Sequence, residues 1–268
     1  MNDDADVGLN SVDVDLIKYK KSYVAFVDVL GFKQLVANSD TTKISIYYSI
    51  IKDSIEKLSE ILNDFGKIDF QIMSDSIVFS VEPTSTDFNS KLLSLRALCA
   101  GIAHLQFYLA MEGIWLRGGI SFGEIKFMDS QFVVGPALVS AHAHELKAKY
   151  PRVILDPLIV ADLGLSKEEF LDQVATPKDS AFEGQDWIFD WRKHNHLPQA
   201  YNDHLFVNFA INLNPPFRYA REAAALVIKN WRIEYLNASE NFCKYAWLKD
   251  YFLTFAIPMD IKKRILET

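Results

Sequence analysis

Apolar residues change rhythm several times along the chain, and each change marks an element. Residues 23–30, YVAFVDVL, are a nearly continuous apolar run whose only charge is Asp28, the pattern of a strand buried on both faces. Ile44, Tyr47, Ile51, Ile55, Leu58, Leu62 and Phe65 then recur at steps of three and four, which predicts an amphipathic helix with Asp40 or Thr41 as its cap. Residues 67–73 and 76–82 read as short strands, and the Ser74-Asp75 pair between them reads as a hairpin turn. A second long helix is expected from about 89 to 112, with Leu92, Leu95, Cys99, Ile102, Leu105 and Leu109 as its stripe. Residues 113–127 and 131–135 form another strand pair, a helix starts near Pro136, whose ring suits a first turn, and residues 152–156 are a short strand.

The resulting order, β-α-β-β-α-β-β-α-β, predicts an α+β fold. Its expected core is ferredoxin-like, a mostly antiparallel sheet with helices packed on one face, extended by a further hairpin, helix and strand. After about residue 160 the pattern shifts to aromatic-rich loops, one strand at 203–210 and two helices at about 216–236 and 239–256. The expected division is an N-terminal segment (1–21), a core (22–160) and a C-terminal extension packed on it (161–268).

Composition narrows the class. Half of the 268 residues are apolar and 24% are charged, enough to build a real core. The formal net charge of −7 repels a polyphosphate backbone, so no nucleic-acid polymer is expected as partner. A single nucleotide remains allowed, because metal ions held on carboxylates neutralise its phosphates locally. Cys99 and Cys243 lie far apart in helical segments, which excludes a disulfide framework or a CxxC metal site. The acidic N-terminus lacks the basic and apolar regions of a signal peptide, and no apolar run reaches the length that spans a bilayer. No membrane partner and a cytoplasmic location are therefore expected.

The chemistry concentrates in the first half. A carboxylate inside VAFVDVLGF costs several kcal/mol to desolvate unless something compensates it. Asp75 sits on the neighbouring hairpin turn, so the two carboxylates can meet at one edge of the sheet. There they repel each other unless a divalent cation lies between them. A structural hydrogen bond from Asp28 to a loop is the competing reading. The joint pattern of D-x-x-G-F at a strand end, a helix, and a hairpin with Ser-Asp at its tip favours the metal pair.

Those residues carry a resemblance. Asp28-Val29-Leu30-Gly31-Phe32 resembles the D-I-x-G-F of class III nucleotide cyclases, and Ile72-Met73-Ser74-Asp75 resembles their I-G-D hairpin. The similarity covers roughly residues 22 to 156. It implies a cyclase core in which Asp28, the backbone carbonyl of Val29 and Asp75 hold two Mg²⁺ or Mn²⁺ ions. One ion would activate the ribose 3′-hydroxyl and the other would hold the triphosphate. The resemblance also implies a head-to-tail homodimer with shared sites, which two-fold symmetry permits.

Departures from the family pattern bear on substrate. The two places that read a purine fall on Gln71 and Phe132, and the places of a ribose-binding Asn and a transition-state Arg fall on Val139 and Ala143. The segments LRGGISFGE (116–124), GPALVSAHAHEL (135–146), YPRVILD (150–156) and KYAWLKDYF (244–252) resemble bacterial pyrimidine cyclases of the Pycsar antiphage type. That resemblance implies UTP or CTP as substrate, with UTP favoured, and a cyclic pyrimidine nucleotide that triggers a separate effector protein. Gln71 carries both a donor and an acceptor and can read either base.

The remaining residues divide between roles. Gly31, Phe32, Gln71 and Arg117 are the candidate substrate-binding residues. Arg117 can reach a phosphate or a base, or pair with an acid within the sheet layer; Phe32 packs on the nucleotide or anchors its own turn. Glu145 is expected to be a surface charge on its helix. His142 and His144 are two apart on a helix and cannot share a metal. His194, His196 and His204 cluster without a fourth zinc ligand. Two other classes compete with a cyclase: a catalytically silent nucleotide-binding module on the same fold, and a palm-type nucleotidyltransferase, which would need a G-G-D-E-F signature that this chain lacks.

Overall fold

The structure, a computed structural model, describes residues 18–62, 66–128, 132–175, 187–193, 203–210, 218–237 and 242–254. The long strand β1 (Lys20–Val29) runs through the middle of the sheet. A turn leads to a short helix α1 (Phe32–Ala37), which the apolar spacing did not predict, and then to α2 (Thr41–Leu62). Asp40 is the cap of α2, its carboxylate accepting from the Lys43 amide at 3.1 Å. Strands β2 (Gly66–Met73) and β3 (Ser76–Pro83) form the expected hairpin, followed by α3 (Phe88–Met111), β4 (Leu116–Met128), β5 (Phe132–Val134), α4 (Pro136–Ala148) and β6 (Val153–Leu155).

The sheet order is β2-β3-β1-β4-β5, with β6 parallel to β4 and the other pairings antiparallel. The first four strands, with helices between β1 and β2 and between β3 and β4, have the ferredoxin-like connectivity. The fold is α+β, as expected.

Side chains alternate across the sheet. Tyr23, Ala25, Val27 and Val29 of β1 join α2 and α3 in the main core, while Val24 packs with Val78, Ile125, Ala137 and Ala141 on the opposite face. The two helices of the ferredoxin-like core, α2 and α3, thus share one face as expected, and α4, the helix of the extension, covers the second face, which the sequence left unassigned. The reason lies in Gly119: a Cβ there would come within 2.3 Å of the Ala141 carbonyl oxygen and 2.8 Å of the Glu145 amide nitrogen. Its bare Cα lets α4 lie directly on β4.

Helix α3 is long and apolar enough to cross a membrane by length and composition, yet 83% of its apolar window is buried inside the protein. It is the core helix of the fold, and burial on several sides explains its uniform hydrophobicity.

The chain continues through α5 (Pro157–Asp162), α6 (Lys167–Phe170), a π-turn (Leu171–Ala175) and a 3₁₀ turn (Trp191–Lys193) to α7 (Arg218–Leu236) and α8 (Phe242–Leu253). The strand expected at 203–210 is reduced to two isolated bridges, Ile154 to Phe206 and Ile188 to Val207. Phe206 and Phe209 instead pack with Phe189, Tyr251 and Phe252, so aromatic packing takes the place of a ladder. These residues belong to the same hydrophobic cluster as β1 and α3.

Arg152 joins the two parts of the chain. It is fully buried, donates Nη1 and Nη2 to the Asp203 carboxylate at 2.9 and 3.0 Å and Nε to the Ala148 carbonyl at 3.1 Å, and lies among the rings of Tyr150, Phe206 and Trp247. A buried guanidinium with bidentate carboxylate pairing is stable only when such partners are all present.

Candidate functional site

The site grows from the ends of three antiparallel strands. Asp28, one residue before the end of β1, is paired in register with Ser76 of β3 and with Arg117 of β4. Ser76 in turn pairs with Met73 of β2. Directly opposed residues share a face, so Met73, Ser76, Asp28 and Arg117 form one row across the α4 side of the sheet. The next row on that face is Gln71, Val78, Phe26 and Gly119.

Asp75 occupies the two-residue turn beside this row. Ser74 has a φ of 60° and Asp75 does not share the positive φ, the geometry of the first and second central positions of a type II′ turn. The Ser74 carbonyl accepts from the Tyr48 hydroxyl at 3.3 Å, and the Asp75 carbonyl accepts from the Val29 amide at 3.1 Å. The second bond binds the hairpin tip to the residue after Asp28.

Asp28 is partly buried, and its carboxylate accepts from the Ser76 hydroxyl at 3.0 Å and lies 3.9 Å from Arg117 Nη2. Burial raises its pKa above the ordinary carboxylate value, and the charges of Asp75 and Glu145 raise it further against the opposing pull of Ser76 and Arg117. The compensation that the sequence demanded for Asp28 is therefore incomplete within the protein itself. Both carboxylates are hard oxygen donors, which suits Mg²⁺ or Mn²⁺. Among the described residues no group of three or more His, Cys, Asp or Glu could hold a metal. A pair of carboxylates fits Mg²⁺ in particular, which keeps several waters and takes phosphate oxygens as its other ligands.

Other candidates take different places. Gly31, with φ of 80°, makes the turn that leads from β1 into α1, a conformation that glycine adopts without strain. Phe32 is buried and its ring lies 5.6 Å from that of Tyr47, so it anchors the turn in the core instead of presenting its face to a ligand. Tyr47 is itself fully buried, and burial first, then Tyr48, Asp75 and Asp28, pushes its phenol well up. Gln71 shares the α4 face with Asp28, two strands and one row away, about 12 Å by ordinary strand geometry.

Phe132 is 64% exposed and pairs with Met128 at the far end of β4, eleven residues from Arg117, so it lies away from Asp28 within one chain. Val139 and Ala143 are exposed on α4. His142 is exposed beside the Phe26 ring, whereas His144 is buried with Nδ1 2.9 Å from the Ser140 carbonyl. His204 pairs with Asp203 at 3.2 Å, and His194 and His196 lie outside the described residues.

Two polar residues of the site were not read from the sequence. Ser76 is recognisable only once the β1–β3 register is known. Glu145 is not a surface charge: it is buried against the sheet and forms an ion pair with Arg117 Nε. Its signal was present, since Glu145 continues the small-residue stripe Ala137, Ala141, Ala148 that α4 turns to the sheet.

No protein-family profile matches the chain, and no curated protein matches it. Among solved structures the chain is similar to the adenylyl cyclase CyaB from P. aeruginosa, at 16% identity over 55% of this chain and 82% of that one, with a TM-score of 0.40. It is also similar to the guanylate cyclase domain of RhGC from Catenaria anguillulae in complex with GTP, at 14% identity over 55% and 84%, TM-score 0.40. A class III adenylyl cyclase-like ATP-binding protein from Pseudomonas aeruginosa matches at 13% identity over 56% and 36%, TM-score 0.39. Scores of this size bear on neither activity nor substrate.

Proposed function

We propose that the chain is a metal-dependent nucleotide cyclase that converts a pyrimidine nucleoside triphosphate to its 3′,5′-cyclic monophosphate and pyrophosphate. The reading rests on one observation above the rest: Asp28 at the end of β1 and Asp75 at the tip of the β2–β3 hairpin are joined through the Val29–Asp75 backbone bond, in the sequence setting that resembles class III cyclases. Asp28, Asp75 and the Val29 carbonyl would hold Mg²⁺ or Mn²⁺. Bound there, the ions would lower the pKa of the ribose 3′-hydroxyl and neutralise charge on the phosphates.

The chain's own residues orient the substrate. Asp28 and Asp75 concentrate negative charge where cation and triphosphate meet, and Arg117 lies beside Asp28 within reach of an anionic oxygen. Gln71 presents an amide to the base from the same face. Purine ring nitrogens would stay poorly paired against Gln71 and Phe132, and unpaired polar groups in a closed pocket cost about 1 to 3 kcal/mol each. UTP is preferred over CTP on family resemblance.

Exposed Phe132, Val139 and Leu146 give the α4 side an apolar surface, which supports a homodimer in which Phe132 of one chain serves the site of the other. The resemblance to antiphage pyrimidine cyclases makes the product a second messenger for a separate effector protein.

Purified protein incubated with Mn²⁺ and equal ATP, GTP, CTP and UTP, with products resolved by mass, tests the reading. Cyclic UMP is the expected main product. Mainly cyclic AMP or cyclic GMP overturns the pyrimidine assignment, and mainly cyclic CMP overturns only the choice of uracil. A silent nucleotide-binding module is the second reading, favoured by Val139 and Ala143 standing where the family pattern has its ribose-binding Asn and transition-state Arg. It requires nucleotide binding with no cyclic product.

A further inference from the structure

Glu145 is 2% exposed, and the proposed reaction assigns it no part. We propose that Glu145 is a positioning residue: it holds Arg117 beside Asp28 and offsets the guanidinium charge, so that the Asp28–Asp75 site keeps its affinity for a divalent cation. The inference rests on the metal reading above and deepens it.

The geometry sets Arg117 between two acids. Its Nε pairs with Glu145, and its Nη2 lies 3.9 Å from Asp28 Oδ2. A guanidinium is planar and always charged, so fixing one edge fixes where the other points. Without Glu145, the guanidinium would be free to close from its 3.9 Å separation onto Asp28 with its charge unbalanced, and would oppose a divalent ion in the same place. The charged groups that act on Asp28 are Asp75, Glu145 and Arg117. Three carboxylates against one guanidinium leave the cluster two charges negative, the complement of a divalent cation.

Burial makes the pair costly unless both members are present, because a lone buried charge must be desolvated without return. Gly119 supplies the close approach that puts Glu145 there, since a Cβ at that position would come within 2.8 Å of the Glu145 amide nitrogen. Glu145 is thus held by α4 and Arg117 by β4, and the spacing between them is set by backbone contact.

The test measures Mn²⁺ binding to the metal-free full chain without nucleotide, reading free Mn²⁺ by electron paramagnetic resonance, with circular dichroism to verify the fold. Wild type should bind Mn²⁺, and Asp28→Asn should abolish binding. Glu145→Gln, which keeps shape but not charge, should weaken binding about fivefold or more. The double variant Arg117→Gln with Glu145→Gln removes one charge of each sign and should return to within about twofold of wild type. An unchanged or tighter Glu145→Gln, or a folded double variant that stays as weak as the single one, overturns the proposal. If Glu145→Gln alone fails to fold, the double variant decides by the same criterion. A wild type that takes up no Mn²⁺ overturns the metal reading itself, which separates that failure from the failure of the coupling.

Discussion

The backbone amide of Val29 donates to the backbone carbonyl of Asp75 across 3.1 Å, although 46 residues separate them in the chain. That bond places the hairpin tip against the end of β1 whatever the two carboxyl side chains do. Removing either carboxyl group should therefore remove chemistry without dismantling the fold.

Asp28→Asn and Asp75→Asn should each lower cyclisation by roughly a hundredfold to ten-thousandfold, the several kcal/mol that metal-assisted charge stabilisation supplies. Turnover at saturating Mn²⁺, with the melting temperature as fold control, checks this. Wild-type turnover in either variant would remove that residue from the site.

Asp28 also makes a pH prediction in the metal-free protein. Its folded pKa is raised above the ordinary 3.8, first by burial and then by Asp75 and Glu145. Below 3.8 both folded and unfolded chains hold the proton. As pH rises, the unfolded chain releases it first, so the fold loses stability until the folded group has also ionised. The melting temperature of Asp28→Asn minus that of wild type should grow over this window and level off above it. A flat difference would mean that Asp28 is not strained by its surroundings.

Gly119→Ala adds one methyl where backbone atoms of α4 leave no room. Helix α4 must shift, at about 1 to 3 kcal/mol of stability. Because that shift moves Glu145 away from Arg117, Mn²⁺ affinity should fall as well. Thermal melting and Mn²⁺ titration together measure both effects; a variant with wild-type values for each would mean that α4 accommodates the methyl elsewhere.

Asp203→Ala leaves the fully buried Arg152 without its bidentate partner. A charged hydrogen-bond pair lost at a partly exposed acid should cost about 1.5 to 3 kcal/mol. Hydrogen exchange should show the loss first in β6 and the Phe206 bridge, which Arg152 connects. Exchange that rises uniformly would deny Arg152 this joining role.

Local pattern and tertiary contact divide this protein between them. Period and turn chemistry determine β1, α2, the β2–β3 hairpin and α3, because burial on both faces leaves a continuous apolar run, burial on one face leaves a spaced stripe, and a turn leaves its polar pair, all of which a one-dimensional reading recovers. Asp28 was legible as a charge in an apolar run, and Asp75 as an acid at a hairpin tip. The segment at 203–210 misled for the same reason: LFVNFA has the composition of a strand, yet aromatic packing against Phe189 and Tyr251 outweighs ladder formation there. Phe32 was equally ambiguous, since an aromatic after a glycine turn can face ligand or core, and only Tyr47 decides for the core.

What the sequence determined by itself is the run of elements from β1 to β6, short helix α1 excepted, and the two carboxylates at the end of β1 and the tip of the β2–β3 hairpin. Only the tertiary structure decided that α4 lies on the second face of the sheet, that Ser76 donates to Asp28, and that Glu145 is buried against Arg117. Those facts depend on strand register and on the closeness of α4 to Gly119, which are sums over contacts distant in the chain. Periodicity records which face of an element is apolar, but not which neighbour it meets.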